Sequence, residues 1–190
     1  MKIYFHLCIE DFTNCYVVVN DSPNVKEAII IDPGQISEEM INQIEGGPYK
    51  VTACLITHRH LNHVAGLETL MRIYSPKIYA ADSEIMGMKC ELVHGDGKMN
   101  LAGMDIEFYS VPGHTPDSMV YKIGNVLFTG DTLFAGTISE TSSHYSARLL
   151  KSNINLKLLS QNRNLVLMPG HGPPSTLNAE KLFNTDLGKC

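Results

Sequence analysis

Four apolar runs in this 190-residue chain end in the same manner: ACLIT leads into His58, FYSVPG into His114, VLFTG into Asp131 and LVLMPG into His171. Short apolar runs bounded by Gly and Pro read as strands. A strand that gives way to a loop leaves its last side chain at a sheet edge, held by a rigid scaffold and open to solvent. Four strands that deliver three histidines and an aspartate to such positions confine the chain to folds whose sheet edges converge on one site.

The remaining pattern fits two sheets with covering helices. CYVVVN and EAIIIDPG are β-branched strands ended by turn residues. SEEMINQIEG has a Ser start, an acidic first turn and a Gly stop, which predict a helix. Val64, Leu67, Leu70 and Met71 give HVAGLETLMRIY helical spacing, and PKIYAADSEIMGM reads as a strand followed by a short helix. MDIEFYSVPGH is a strand entering a Pro-Gly turn, and SMVYKIGNVLFTGD is a hairpin joined at GN. A helix is expected over 145–160, then a strand in NLVLMPGHG and a last helix around NAEKLF. With no repeat, low-complexity segment or linker, residues 1–190 are expected to form one domain, which this length suits.

Charge narrows the partners. The net charge is −5, and the 15 Lys and Arg residues form no run, so neither nucleic acid nor an anionic membrane is an expected partner. A small-molecule substrate is. No apolar run approaches the roughly 18 residues of a membrane span, and the start MKIYFHLCIEDF lacks the pattern of a signal peptide. Cys8, Cys15, Cys54, Cys90 and Cys190 are odd in number and contain no C-x-x-C, against both a disulfide framework and a zinc-thiolate site. A reducing cytoplasm is the expected setting, with Cys54 a small core residue.

The densest chemistry is THRHLNH, residues 57–63. Three imidazoles so close together bring no packing benefit and would repel once protonated, whereas neutral imidazole is the commonest protein ligand of zinc. His58 and His60, two apart in an extended segment, point the same way and can reach one ion. His63, where the next helix begins, is displaced toward a neighbouring ion. Asp131 alone could merely cap a turn, but beside these histidines it is a carboxylate able to join two ions. His6, His94 and His144 stand apart from any such pattern and are expected to be ordinary surface or core residues.

The ordered set THRHLNH, PGHTPDS, FTGDTLF and PGHGPPS resembles the metallo-β-lactamase-fold superfamily, and within it the glyoxalase II-like hydroxyacyl-thioester hydrolases. The likeness runs from IIIDPG near the start to PGHGPPS near the end. It implies an α/β fold, a four-layer αββα sandwich with the metal site at one edge of the two sheets. By the family pattern His58, His60 and His114 hold a first ion, Asp131 bridges to a second, and His63 and His171 complete that second site. Asp32 supports them by hydrogen-bonding a ligand histidine. The implied activity is cleavage of a small thioester or ester by a metal-bound hydroxide, with one or two Zn2+ ions as cofactor. No Ser or Cys nucleophile is needed, and neither G-x-S-x-G nor a Gly-rich phosphate loop occurs.

Two departures shape the expectation. The family motif reads T-H-x-H-x-D-H, and Asn62 stands at its aspartate. An amide oxygen can coordinate but carries no charge and accepts no proton near neutrality. A weaker second site, a single resting ion and slower hydrolysis are therefore expected, with Asp131 and Asn62 as the residues acting on the reacting water. The chain also stops nineteen residues beyond His171, without the C-terminal helical region of glyoxalase II. FAGTISETSSHYS is expected to line the pocket mouth. An alternative from another enzyme class is a mononuclear iron persulfide dioxygenase using His58, His114 and Asp131, and a third reading is a non-catalytic metal-stabilised binding domain.

Overall fold

In the computed structural model, which describes residues 1–161 and 163–187, the first half of the chain builds one sheet and the second half another. The first sheet runs β1 (Lys2–Cys8), β2 (Thr13–Asn20), β3 (Glu27–Ile31), β4 (Lys50–Leu55) and β5 (Lys77–Ala80). A small hairpin follows, β6 (Glu84–Ile85) with β7 (Met88–Lys89), before β8 (Glu91–Leu92) joins the edge beside β5. The second sheet takes β9 (Gly97–Leu101), β10 (Met104–Ser110), β11 (Met119–Ile123), β12 (Val126–Gly130), β13 (Val166–Pro169) and β14 (Ser175–Thr176), each paired with the next. Helices α1 (Glu38–Gly46), α2 (Leu61–Val64) and α3 (Leu67–Ile73) pack on the first sheet. On the second lie α4 (His144–Asn153), a π-helical continuation (Ile154–Leu159) and α5 (Leu177–Phe183).

Two-residue alternation sorts the strands into layers. Along β2, Cys15, Val17 and Val19 face Met40, Ile44, Leu67 and Leu70 of the helices. Tyr16 and Val18 face the other sheet, where Ile106, Tyr121 and Phe128 meet them. In the second sheet Val120, Leu127 and Leu167 turn outward onto Leu150, Ile154 and Leu158. Three apolar layers thus separate four layers of structure, the expected αββα sandwich. Each fully buried aliphatic in them contributes about 1.5–3 kcal/mol. Strands β3, β4 and β5 pair in parallel and are covered on both faces, hence the unbroken apolar runs AIII and ACLI.

Three local expectations change. The segment after β5 is not helical, because Met86 (φ 51°) and Gly87 (φ 76°) both take left-handed backbone and fold it into the β6–β7 hairpin. The helix after His63 is cut in two at Gly66, whose amide donates to Pro33 O at 2.8 Å; a Cβ there would lie 2.7 Å from that oxygen. The helix expected over 145–160 starts at His144, capped by Ser143, and widens after Asn153 into π-turns, as in the Ser160 N to Asn155 O bond. Helical spacing of apolar residues does not separate these two forms.

Cys8, Cys15, Cys54 and Cys90 are buried free thiols, and Cys190 lies outside the described residues. Among the described residues no helix is long and apolar enough to cross a membrane.

Candidate metal centre

All six expected donors reach one edge of the sandwich. His58 and His60 follow β4, His63 sits in α2, His114 follows β10, Asp131 follows β12 directly and His171 follows β13. Potential ligand atoms of His58, His60, His114 and Asp131 lie within 4.8 Å of one another, as do those of His63, Asp131 and His171. Asp131 belongs to both groups. His6, His94 and His144 join neither, and His6 bonds Gln43 instead.

Two glycines let the sheets close at this edge. Gly130, at φ 49°, packs so tightly on Thr57 that a Cβ would come within 2.3 Å of its hydroxyl. At Gly170 a Cβ would meet Asp131 Oδ1 at 2.3 Å and His63 Cε1 at 2.6 Å. Bonds between the sheets fasten the seam: Met119 N donates to Thr57 O at 2.8 Å, and Tyr121 Oη to Ile56 O at 2.9 Å.

In the first group the far side of each outer ring is fixed. Thr57 Oγ1 donates to Asp32 Oδ2 at 2.6 Å, so its oxygen accepts from His58 Nδ1 at 3.1 Å. His114 Nδ1 lies 2.9 Å from Glu140 O and 2.8 Å from Ser139 Oγ, and the carbonyl requires Nδ1 to carry the proton. Both histidines therefore aim a bare Nε2 lone pair at His60 Nδ1, from 3.0 Å and 3.1 Å. Asp131 Oδ2 is 3.8 Å from each Nε2. One shared proton cannot serve all these acceptors, whereas a cation among them can. Burial, then His63, push the His58 pKa down, and burial with His114 lowers that of His60, favouring the neutral state in which imidazole binds metal.

The second group is prepared unevenly. His63 is wholly buried and donates from Nδ1 to Asp32 Oδ2 at 3.0 Å. Its Nε2 has no hydrogen-bond partner and lies 3.3 Å from Asp131 Oδ1. Burial opposes a charge on His63, but Asp32 and Asp131 outweigh it and raise its pKa to about 9. Without metal a proton occupies that position. Burial also works against the Asp131 carboxylate, yet the hydrogen bond from His171 and the charge of the nearby His63 hold its pKa well below the usual range. His171 donates from Nδ1 to Asp131 Oδ1 at 2.8 Å, and its Nε2 lies 3.1 Å from Asn62 Nδ2. The same amide donates to Thr13 Oγ1 at 3.1 Å. Asn62 thus presents a nitrogen here, where the motif's aspartate would present oxygen.

Asp32 does more than expected. Held at φ 51°, it takes the Thr57 amide on Oδ1 at 2.8 Å and both Thr57 Oγ1 and His63 on Oδ2, so it braces one histidine in each group. Several supports were not legible beforehand. Asn14 donates to Pro169 O at 2.9 Å and Gly172 O at 2.8 Å, and Tyr16 donates to Pro169 O at 2.7 Å, clamping the loop that carries His171. Asp117 Oδ2 accepts the Arg59 amide at 2.8 Å and sets the turn between His58 and His60. PGHTPDS contained Asp117, and TNCYVVVN contained a polar pair at its start, but neither pattern reveals a partner far away in sequence.

Beside the donors opens a cavity of about 600 Å³, lined by Phe134, Ile138, Glu140 and Asp186 with His114, Asp131 and His171 at its floor. The loop after Asp131 is thus at the mouth, as expected.

The family model for the metallo-beta-lactamase superfamily matches residues 8–171. An uncharacterized protein of Treponema pallidum is 32% identical over 178 residues, 93% of this chain and 94% of that one. Hydroxyacylglutathione hydrolase GloC of Haemophilus influenzae is 30% identical over 195 residues, 90% of this chain and 91% of its own. Among solved structures, BLEG-1 B3 metallo-beta-lactamase has a TM-score of 0.84 and 26% identity, covering 98% of this chain and 99% of that chain.

Proposed function

Because this chain belongs to the metallo-beta-lactamase superfamily, we propose that it is a zinc-dependent hydrolase of a small thioester or ester. The carrying observation is the convergence of His58 Nε2, His60 Nδ1 and His114 Nε2 beside Asp131, with the other nitrogens of His58 and His114 engaged elsewhere. GloC, at 30% identity, supports the substrate class by its name.

His58, His60, His114 and Asp131 would hold the ion. When bound it supplies Lewis acidity, acidifying water and polarising the scissile carbonyl. Asp131, deprotonated and tethered by His171, orients the attacking water, while Thr57, Asp32 and Ser139 keep the imidazoles aimed. Phe134 and Ile138 screen one wall from solvent. Asn62 cannot pass a proton to a leaving group. A thiol, with a pKa of about 8.5, leaves as thiolate without one, which favours thioesters over amides at this centre.

Metal analysis of protein purified without added metal, with a panel of thioesters that includes S-lactoylglutathione, tests this reading. Bound zinc and thioester cleavage that a chelator abolishes are expected; zinc-loaded protein that cleaves no thioester or ester refutes it. The Asn62 amide engaging His171 favours a second reading, a one-ion centre. Iron on His58, His114 and Asp131, with oxygen uptake on glutathione persulfide, would mark a persulfide dioxygenase instead.

A further inference from the structure

Resting on the hydrolase reading, we propose that the cleft selects substrates whose portion beyond the scissile bond is neutral or cationic, and that Glu140 sets this preference. Apart from the donors themselves, the charged side chains lining the cavity are Glu140 and Asp186, both acidic. Among the described residues no Lys or Arg lines it. Its remaining walls are Phe134, Ile138 and neutral hydroxyls. His114, Asp131 and His171 line the same cavity, so whatever reaches the metal donors must pass these two acids.

The two acids are held differently: Asp186 by its carboxylate, Glu140 by its backbone alone. Asp186 Oδ2 accepts the Ile138 amide at 3.0 Å, so its charge is tied to the wall. Glu140 sits in the same loop, with its backbone oxygen bonded to His114. Arg59 lies between two donor histidines but reaches Asp82 at 3.4 Å, away from the cavity lining. A chain with net charge −5 adds a diffuse field of the same sign. At the floor the donor groups carry a single carboxylate, Asp131, so positive charge from an ion there serves the carbonyl, while the rim acts on the more distant part of the substrate.

Glutathione carries two carboxylates and one ammonium. Its carboxylates would approach Glu140 and Asp186 with no cation to receive them, and an unpaired like-charge approach is how a site rejects a ligand. A thiocholine carrier brings a trimethylammonium group that Glu140 can face, and N-acetylcysteamine brings no charge.

The test uses the full chain loaded with zinc and one acyl group on three thiols: thiocholine, whose quaternary nitrogen cannot take the acyl group from sulfur, N-acetylcysteamine and glutathione. Hydrolysis is measured as kcat/KM, and binding of the three S-methyl thioethers is measured separately by calorimetry. We expect the cationic and neutral carriers to exceed glutathione by about tenfold in both measures at low salt, with the gap shrinking as salt rises. Glu140→Gln should narrow the gap and Glu140→Lys should reverse it for glutathione, with circular dichroism unchanged. Equal or tighter binding of the glutathione thioether, no binding of any thioether, or a gap that Glu140→Lys leaves intact overturns the proposal. If binding follows the expected order and no thioester is cleaved, the hydrolase reading falls and the charge selection stands. Cleavage that favours glutathione has the opposite meaning.

Discussion

The two donor groups share Asp131 but are prepared for an ion differently. In the first, the outer nitrogens of His58 and His114 are satisfied by Thr57 and by Glu140 O and Ser139, leaving lone pairs that face His60. In the second, His63 is prepared likewise by Asp32, whereas His171 has both nitrogens engaged, one by Asp131 and one by Asn62. A set of donors can therefore be complete by residue type and incomplete by available lone pair. Asn62, bonded to Thr13, engages the His171 nitrogen that an ion would need.

The strongest way to break the contrast is to remove what both groups share. Asp131→Ala should abolish tight metal binding at either group and lower hydrolysis by roughly a thousandfold or more; metal content and kcat/KM report it, and retained metal would show the first group to be self-sufficient. Asp32→Ala strikes each group once, through His63 and through Thr57. It should weaken metal affinity by about 10–100-fold in chelator competition and cost about 1–3 kcal/mol of stability from the orphaned buried donors.

Replacing Asn62 by Asp asks whether the second group is closed by this residue alone. Metal stoichiometry should rise from one ion to two and turnover should increase by up to about tenfold; if neither changes, the Asn62 bonds are incidental. A pH titration sharpens the same contrast in metal-free protein. His63 is raised to about 9 in the fold from an ordinary 6.5. Its contribution to stability is thus complete below about 6.5 and is lost as pH rises through about 9. Denaturant midpoints between pH 6 and 10 should fall in metal-free protein, and fall less once zinc replaces the proton. The smallest effect belongs to Thr13→Val, which removes one hydrogen bond to Asn62 and should cost about 1 kcal/mol in unfolding experiments.

The sandwich was legible because period-two alternation and strand-end histidines are local signals. So was the gathering of His58, His114, Asp131 and His171 at one edge, since each follows the end of an apolar run. The π-turns after Asn153 and the hairpin at Met86 were not, since they depend on backbone states that apolar spacing does not encode. The clamp by Asn14 and Tyr16 on the loop of residues 169–172 joins segments more than 150 positions apart, and single-sequence patterns carry no such pairing. Asn62 was visible as an oddity, but which atom it turns to His171 depends on Asp131, which holds the His171 proton on Nδ1 and leaves Nε2 to accept.

Each donor group draws on both sheets: His58, His60 and His63 come from the first half of the chain, and His114, Asp131 and His171 from the second. Neither half owns a complete site. A chain cut in the loop between Leu92 and Gly97, where one sheet ends and the other begins, would yield two fragments that each hold only part of the coordination. In such a split protein, metal capture becomes a signal that the fragments have reassembled, and a chelator becomes the means of parting them.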